Sequence, residues 1–348
     1  MPSLALSSAA TRYQPIIEAI DELFPPKGLD QRIALSRKDG YWPFISSGDE
    51  PPQEFVYGEF DVDFFSQVVD RAIELYGKDE AKVFCDLGSG TGRLVLTAAA
   101  LHNWDLVRGV ELLPSIHQQA VEKLNACEKI AIEHAPSPPS PSSQQSIWTQ
   151  YKSFSPSNDW LNQLSRNFDD DDEEENSEQK LILPPPAMTA GVSESPSEAV
   201  SDNLKWTSSK EYFLGHNQEL PLAPIKLSCG SFDDPYEFFG DANIVFCFSS
   251  AMPYHIIVNM ARACGRQCQP GSLIITTEYE LPEGGIIDTY EDDSNVPAGN
   301  YELELIEELN GFCDATGGES TVFIHRLTKS LGTGNPIPKP KVTVSDIC

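Results

Sequence analysis

The chain has 348 residues, 40% hydrophobic and 9% aromatic, which is enough for a substantial core; at about 150 residues per domain the length allows two domains. Fifty-three Asp and Glu against 24 Lys and Arg leave a formal net charge of −29. That balance argues against direct nucleic-acid binding, which needs clustered cations to neutralise phosphates, and against docking on anionic membrane surfaces.

Basic proteins and neutral small molecules remain as partners, and no run reaches the roughly 18 apolar residues of a membrane span. The eight cysteines do not form a disulfide framework. Cys85 and Cys247 lie in apolar runs, where a free thiol behaves as a small hydrophobe. Cys264 and Cys268 have three residues between them and no His pattern nearby, so no metal is expected. Reduced cysteines point to the cytoplasm or nucleus. The acid-free stretch Met1 to Thr11 has no apolar signal core and leaves organelle targeting open.

In chain order, residues 1–54 read as an N-terminal segment, partly a helical cap. Residues 55–330 read as one α/β domain and 331–348 as a flexible tail. The domain opens with an amphipathic helix, Val62 to Tyr76. Val83 to Leu87 is a short buried strand ending in glycines, and Arg93 to Leu101 has helical apolar density. Leu106 to Leu112 is a second strand; Ser115 to Cys127 is a helix with Ile116, Ala120 and Leu124 on one face.

Composition then shifts. The 69 residues 135–203 hold 14 Ser, 9 Pro, 12 acids and only 3 bases, including the unbroken run Asp169 to Glu175. Such a segment buries too little apolar surface to offset its ordering entropy, so it reads as a disordered acidic insert. Within it, Trp160, Leu161, Leu164 and Phe168 recur at helical spacing. The remaining 279 residues still carry a net −20 (41 acids, 21 bases).

After the insert, Ile225 to Cys229 and Asn243 to Phe248 read as strands, His255 to Cys264 as a helix, and Ser272 to Glu278 as a β-branched strand. Tyr301 to Leu309 and Thr321 to Leu327 form an antiparallel pair. Alternating strands and helices ending in a hairpin imply a doubly wound, mostly parallel sheet of seven strands, Rossmann-like, covered on both faces.

The chemistry begins at Asp86-Leu87-Gly88-Ser89-Gly90-Thr91-Gly92-Arg93. Glycines between a strand and a helix let a ligand approach the backbone. The spacing departs from the dinucleotide fingerprint, with Arg93 where a small residue belongs. Asp86 would repel a pyrophosphate but suits a cationic amino group. Glu111, ending the next strand, stands where a carboxylate accepts both ribose hydroxyls. A ligand with a ribose and a positive end but no phosphate is S-adenosylmethionine.

The order strand, Asp-Leu-Gly-Ser-Gly-Thr-Gly, helix, strand, Glu resembles the class I S-adenosylmethionine-dependent methyltransferases. Phe55-Val56-Tyr57-Gly58-Glu59-Phe60, about thirty residues upstream, narrows the resemblance to the non-SET lysine methyltransferases of the histone core, the disruptor-of-telomeric-silencing family. The resemblance implies that Tyr57 and Glu59 contact the methionine moiety over a floor of Asp86, Gly88, Ser89 and Gly90. It implies that Glu111 holds the ribose, that Phe232 stacks on adenine, and that Asp233 accepts from the adenine amine. Phe232 and Asp233 each have an ordinary alternative, in the core and in the turn before Pro235.

The sequence departs from the family after the strand ending at Phe248. Phe248, followed by Ser249, stands where the family has an Asn near the methyl-transfer centre. Tyr57, Phe248 and Ser249 are therefore the candidate catalytic residues. The resemblance implies methyl transfer to a protein lysine on a basic partner. The alternatives are a small-metabolite or non-histone protein acceptor, or a cofactor-binding scaffold without turnover.

Overall fold

In the computed structural model of the chain, the described residues are 10–52, 55, 57–133, 211–214, 222–289, 293–313 and 318–339. The expected insert, 135–203, lies outside them, as does the tail beyond residue 339. Three N-terminal helices, α1 (Ala10–Leu23), α2 (Leu29–Gly40) and α3 (Trp42–Ser47), precede α4 (Val62–Tyr76). Then come β1 (Val83–Leu87), α5 (Arg93–Leu101), β2 (Leu106–Glu111) and α6 (Pro114–Glu133). Beyond the undescribed stretch lie β3 (Glu211–Leu214), β4 (Ile225–Cys229), β5 (Ile244–Cys247), α7 (Tyr254–Gln267) and β6 (Leu273–Thr277). The chain ends in β7 (Gly284–Ile287), β8 (Gly299–Cys313) and β9 (Gly318–Lys329).

Among the described residues, nine strands form one mixed sheet in the order β3-β4-β2-β1-β5-β6-β9-β8-β7. Strands β4, β2, β1, β5 and β6 run parallel, and β9, β8 and β7 continue antiparallel. The expectation of seven strands is corrected to nine: the five parallel strands and the β8–β9 hairpin make seven, and β3 and β7 add one short strand at each edge. Four residues each, they carry little of the hydrophobic signal that longer strands show.

Period-two alternation divides the core. Phe84, Ile244, Phe246 and Ile275 face one layer, with α1, α4, α5 and α6, while Cys85, Val245, Cys247 and Ile274 face the other, with α7. On α4, Phe64, Phe65, Val68, Val69, Ala72 and Ile73 make the buried face. Its start is set by Asp61, whose side chain accepts the Phe64 N–H at 2.8 Å, and its end by Gly77 at φ 117°. Phe65 meets Phe84 and Phe246 edge-on; full burial of one such ring stabilises by about 1.5–3 kcal/mol.

The chain leaves β1 toward β2 and β4 on one side and returns on the other as β5 and β6. The strand order thus reverses between β1 and β5, and ligands of open α/β sheets bind at the carboxyl ends of strands beside such a reversal. No described helix is long and apolar enough to cross a membrane.

Candidate active site

At the carboxyl end of β1 the chain turns through Gly88, Gly90 and Gly92, at φ 81°, 56° and 81°. These are left-handed values that other residues adopt only with strain. The turn is tied to β2: the Gly88 and Ser89 N–H groups donate to Val110 O at 2.8 and 3.0 Å. Glu111 closes it, Oε2 accepting the Gly90 N–H and Oε1 the Leu113 N–H, both at 2.8 Å. Each carboxylate oxygen keeps a further lone pair for a hydroxyl. Burial raises the Glu111 carboxyl above the usual range, while these N–H donors pull it down.

Asp86 lies directly below, 1% exposed, and its Oδ1 has no hydrogen-bond partner among the described residues; the Ser89 hydroxyl is likewise unpartnered. Burial, with Glu111 adding its charge, pushes the Asp86 carboxyl up to about 8. A buried acceptor without a donor is costly, and a cationic ligand group would relieve both the desolvation and the missing bond.

The segment Tyr57 to Phe60 folds over this turn. A Cβ on Gly90 would stand 3.2 Å from Tyr57 Cε2, so the ring rests on the glycine backbone. The Tyr57 hydroxyl donates to Glu59 Oε1 at 2.7 Å and lies 3.1 Å from Thr91 Oγ1. Desolvation and the nearby Glu59 charge push the phenol above its ordinary value. Phe248 forms the far wall, its ring 5.2 Å from that of Phe60 and pressed under Gly58. Tyr57, Glu59, Asp86, Gly88, Ser89, Gly90 and Phe248 thus line one half-open cleft of about 30 Å³.

Three expected residues stand elsewhere. Ser249 is fully buried and committed to β6: its hydroxyl donates to Thr277 O at 2.7 Å and accepts the Thr277 N–H at 3.0 Å, so it staples two strand ends and does not face the cleft. Phe232 packs on the α7-side core. Asp233, raised by burial, borders a separate polar cavity of about 240 Å³ with Asn259, Arg262, Arg266, Asp288 and Thr289.

Two residues of the network gave no sequence signal of their role. Arg32, from α2, grips Glu59 with both sides of its guanidinium, Nε to Oε1 at 2.5 Å and Nη2 to Oε2 at 2.9 Å. Arg93, which breaks the dinucleotide spacing, donates to Phe60 O and to Asp21 of α1, at 2.9 and 2.8 Å. Thr91 was legible only as part of the glycine turn.

The doubly wound sheet, the glycine turn after β1 and the acid after β2 define a Rossmann-like α/β fold with a ligand cleft at its strand ends. Over residues 50–133, about a quarter of its length, the chain matches the family described as histone methylation protein DOT1. No curated protein matches the chain.

Among solved structures, the rRNA methyltransferase aviRa from Streptomyces viridochromogenes is 12% identical, covering 83% of this chain and 92% of its own, at a TM-score of 0.40. An RNA methyltransferase from Salinibacter ruber, in complex with S-adenosyl-L-homocysteine, is 14% identical, covering 79% and 94%, at 0.32. The magnesium protoporphyrin IX methyltransferase of Synechocystis PCC 6803, with bound S-adenosylmethionine, is 11% identical, covering 93% and 99%, at 0.34.

The exclusion of nucleic acid drawn from net charge is withdrawn; two of these similar structures are RNA methyltransferases, which is a property of those proteins. A whole-chain charge sum does not describe the local surface that meets a polynucleotide, and it gives no ground for excluding RNA.

Proposed function

We propose that the protein is an S-adenosylmethionine-dependent methyltransferase. The observation that carries this reading is Asp86: a buried carboxylate with an unpartnered oxygen beneath a three-glycine turn, one strand from Glu111. The donor set fits the cofactor. Asp86 would take the ammonium of the methionine tail, Glu111 would take the ribose diol through its remaining lone pairs, and the bare glycine backbone would admit close approach.

When bound, the sulfonium supplies a methyl group already activated for in-line displacement. The chain's own task is to position and to exclude water. Tyr57, Phe60 and Phe248 supply apolar walls for that purpose.

The acceptor reading that fits these walls is a nucleophile other than a histone-core lysine. Phe248 puts a ring against Gly58 and Phe60 where the resembling family has an amide carbonyl able to orient an amine. A small metabolite, an RNA or a non-histone protein is therefore the acceptor class to test. A second reading, a cofactor-binding scaffold without turnover, is favoured by the same Phe248 ring, which has no polar group to offer an acceptor.

Transfer of tritium from methyl-labelled S-adenosylmethionine to histones, total RNA, histone-free cell protein and a small-molecule extract separates these readings. Label in RNA, a metabolite or a non-histone protein supports the first. Cofactor binding with no labelled product supports the scaffold, and label confined to histones overturns the acceptor reading.

A further inference from the structure

We propose that Arg32, which lies outside the sheet on α2, is a positioning residue for the methionine end of the cofactor site. The inference rests on the cofactor reading above and extends it to the N-terminal helices. Arg32 is 4% exposed and makes the two-pronged pair with Glu59; its remaining nitrogen, Nη1, donates to Pro25 O at 3.1 Å. The guanidinium is thus held on three sides. Glu59 in turn accepts the Tyr57 hydroxyl, and Tyr57 lies on Gly90 and beside Thr91. The chain of contacts Arg32–Glu59–Tyr57–Gly90 runs from a helix of the N-terminal segment to the backbone of the glycine turn.

The links differ in strength. A bidentate, charge-assisted pair shielded from water is stiff in direction as well as strong. The contact of Tyr57 with Thr91, between two hydroxyls at 3.1 Å, is the weaker one. The Arg32–Glu59 pair therefore fixes the register of the segment more firmly than the Tyr57–Thr91 contact does. Glu59 is thereby engaged in the protein's own ion pair, and its influence on the cofactor passes through Tyr57. Arg93 supports the same arrangement from the other side by joining Phe60 O to Asp21 of α1.

The action of Arg32 is confined to the methionine end, since Glu111 and the far side of the turn do not touch it. That confinement supplies a test that general loss of structure cannot imitate. The full-length chain is titrated calorimetrically with S-adenosyl-L-homocysteine, which has the amino-acid tail, and with 5′-methylthioadenosine, which lacks it.

Arg32→Met is expected to weaken S-adenosyl-L-homocysteine about tenfold or more, the scale of a lost charged hydrogen bond, while methylthioadenosine affinity stays within about twofold. Arg32→Lys keeps the charge without the fork and falls between. Glu59→Gln repeats the test from the other partner if Arg32→Met does not fold. Arg108→Met removes a similar two-pronged pair, with Asp241, away from the cleft and should leave both affinities unchanged. Equal weakening of the two ligands, or none, overturns the positioning role. Failure of the unaltered protein to bind either ligand overturns the cofactor reading and the inference with it.

Discussion

Glu111 Oε2 accepts the Gly90 N–H at 2.8 Å, so the acid expected to hold the ligand's sugar also holds the loop beneath it. Its other oxygen accepts Leu113 N–H, and the residue is 7% exposed. Glu111 therefore fixes the loop conformation, and under the proposed function the same side chain would also hold the ligand.

Glu111→Ala should leave two N–H groups without partners, destabilising the fold by about 1–3 kcal/mol and abolishing cofactor binding. Urea unfolding and calorimetric titration measure the two effects. A variant that unfolds earlier yet binds with unchanged affinity would show that Glu111 serves the loop alone.

Asp86 makes stability and binding depend on pH. Its carboxyl stands at about 8 in the ligand-free fold, raised by burial and then by Glu111. A raised carboxyl contributes stability that is fully present below about pH 4, where the unfolded chain is also protonated, and that is lost as pH climbs through about 8. His325, lowered to about 4 by burial, acts oppositely: its contribution is present above about pH 6.5 and lost as pH falls through 4. The difference between the native chain and Asp86→Asn isolates the first effect, and the variant should be relatively more stable at pH 8.5 than at pH 5. A ligand ammonium favours the ionised carboxylate, so cofactor binding below pH 8 should release a proton, read as a buffer-dependent heat. The same heat in Asp86→Asn would remove Asp86 from the binding site.

Gly90→Val should abolish binding. The position has φ 56°, and a Cβ there would stand 3.2 Å from the Tyr57 ring. Both the strain and the lost approach act on the ligand side of the turn, so affinity should fall far more than unfolding temperature. Unchanged binding would place the ligand elsewhere.

Ser249→Ala tests whether that hydroxyl serves the strand ends or the cleft. It removes a buried hydroxyl that both donates to and accepts from Thr277, which should destabilise by about 1–3 kcal/mol. Once the protein is folded, cofactor affinity should be unchanged; a drop in affinity without a drop in stability would return Ser249 to the cleft.

Much of the fold was legible because long strands and helices carry periodicity. Val83 to Leu87 and Ile225 to Cys229 match β1 and β4 to the residue, and Val62 to Tyr76 matches α4. Helix ends ran further than their apolar faces: α7 continues past Cys264 to Gln267 because its last turn is backbone-bonded and needs no apolar periodicity. The edge strands β3 and β7 escaped notice because four residues have no period to detect. In the site, the meeting of Asp86, the glycines and Glu111 was readable because each follows a strand at a short local spacing.

Asp86, the three glycines and Glu111 could be named from the linear chain because each lies at a strand end, where neighbours in sequence are neighbours in space. The partnership of Arg32 with Glu59, the withdrawal of Ser249 to Thr277 and the seating of Phe248 under Gly58 could not. They join residues 27, 28 and 190 positions apart, and no local pattern encodes which side chains a completed sheet and its helices bring into contact. Charges and hydroxyls choose their partners only after the apolar layers have packed, because packing sets the distances over which such bonds form.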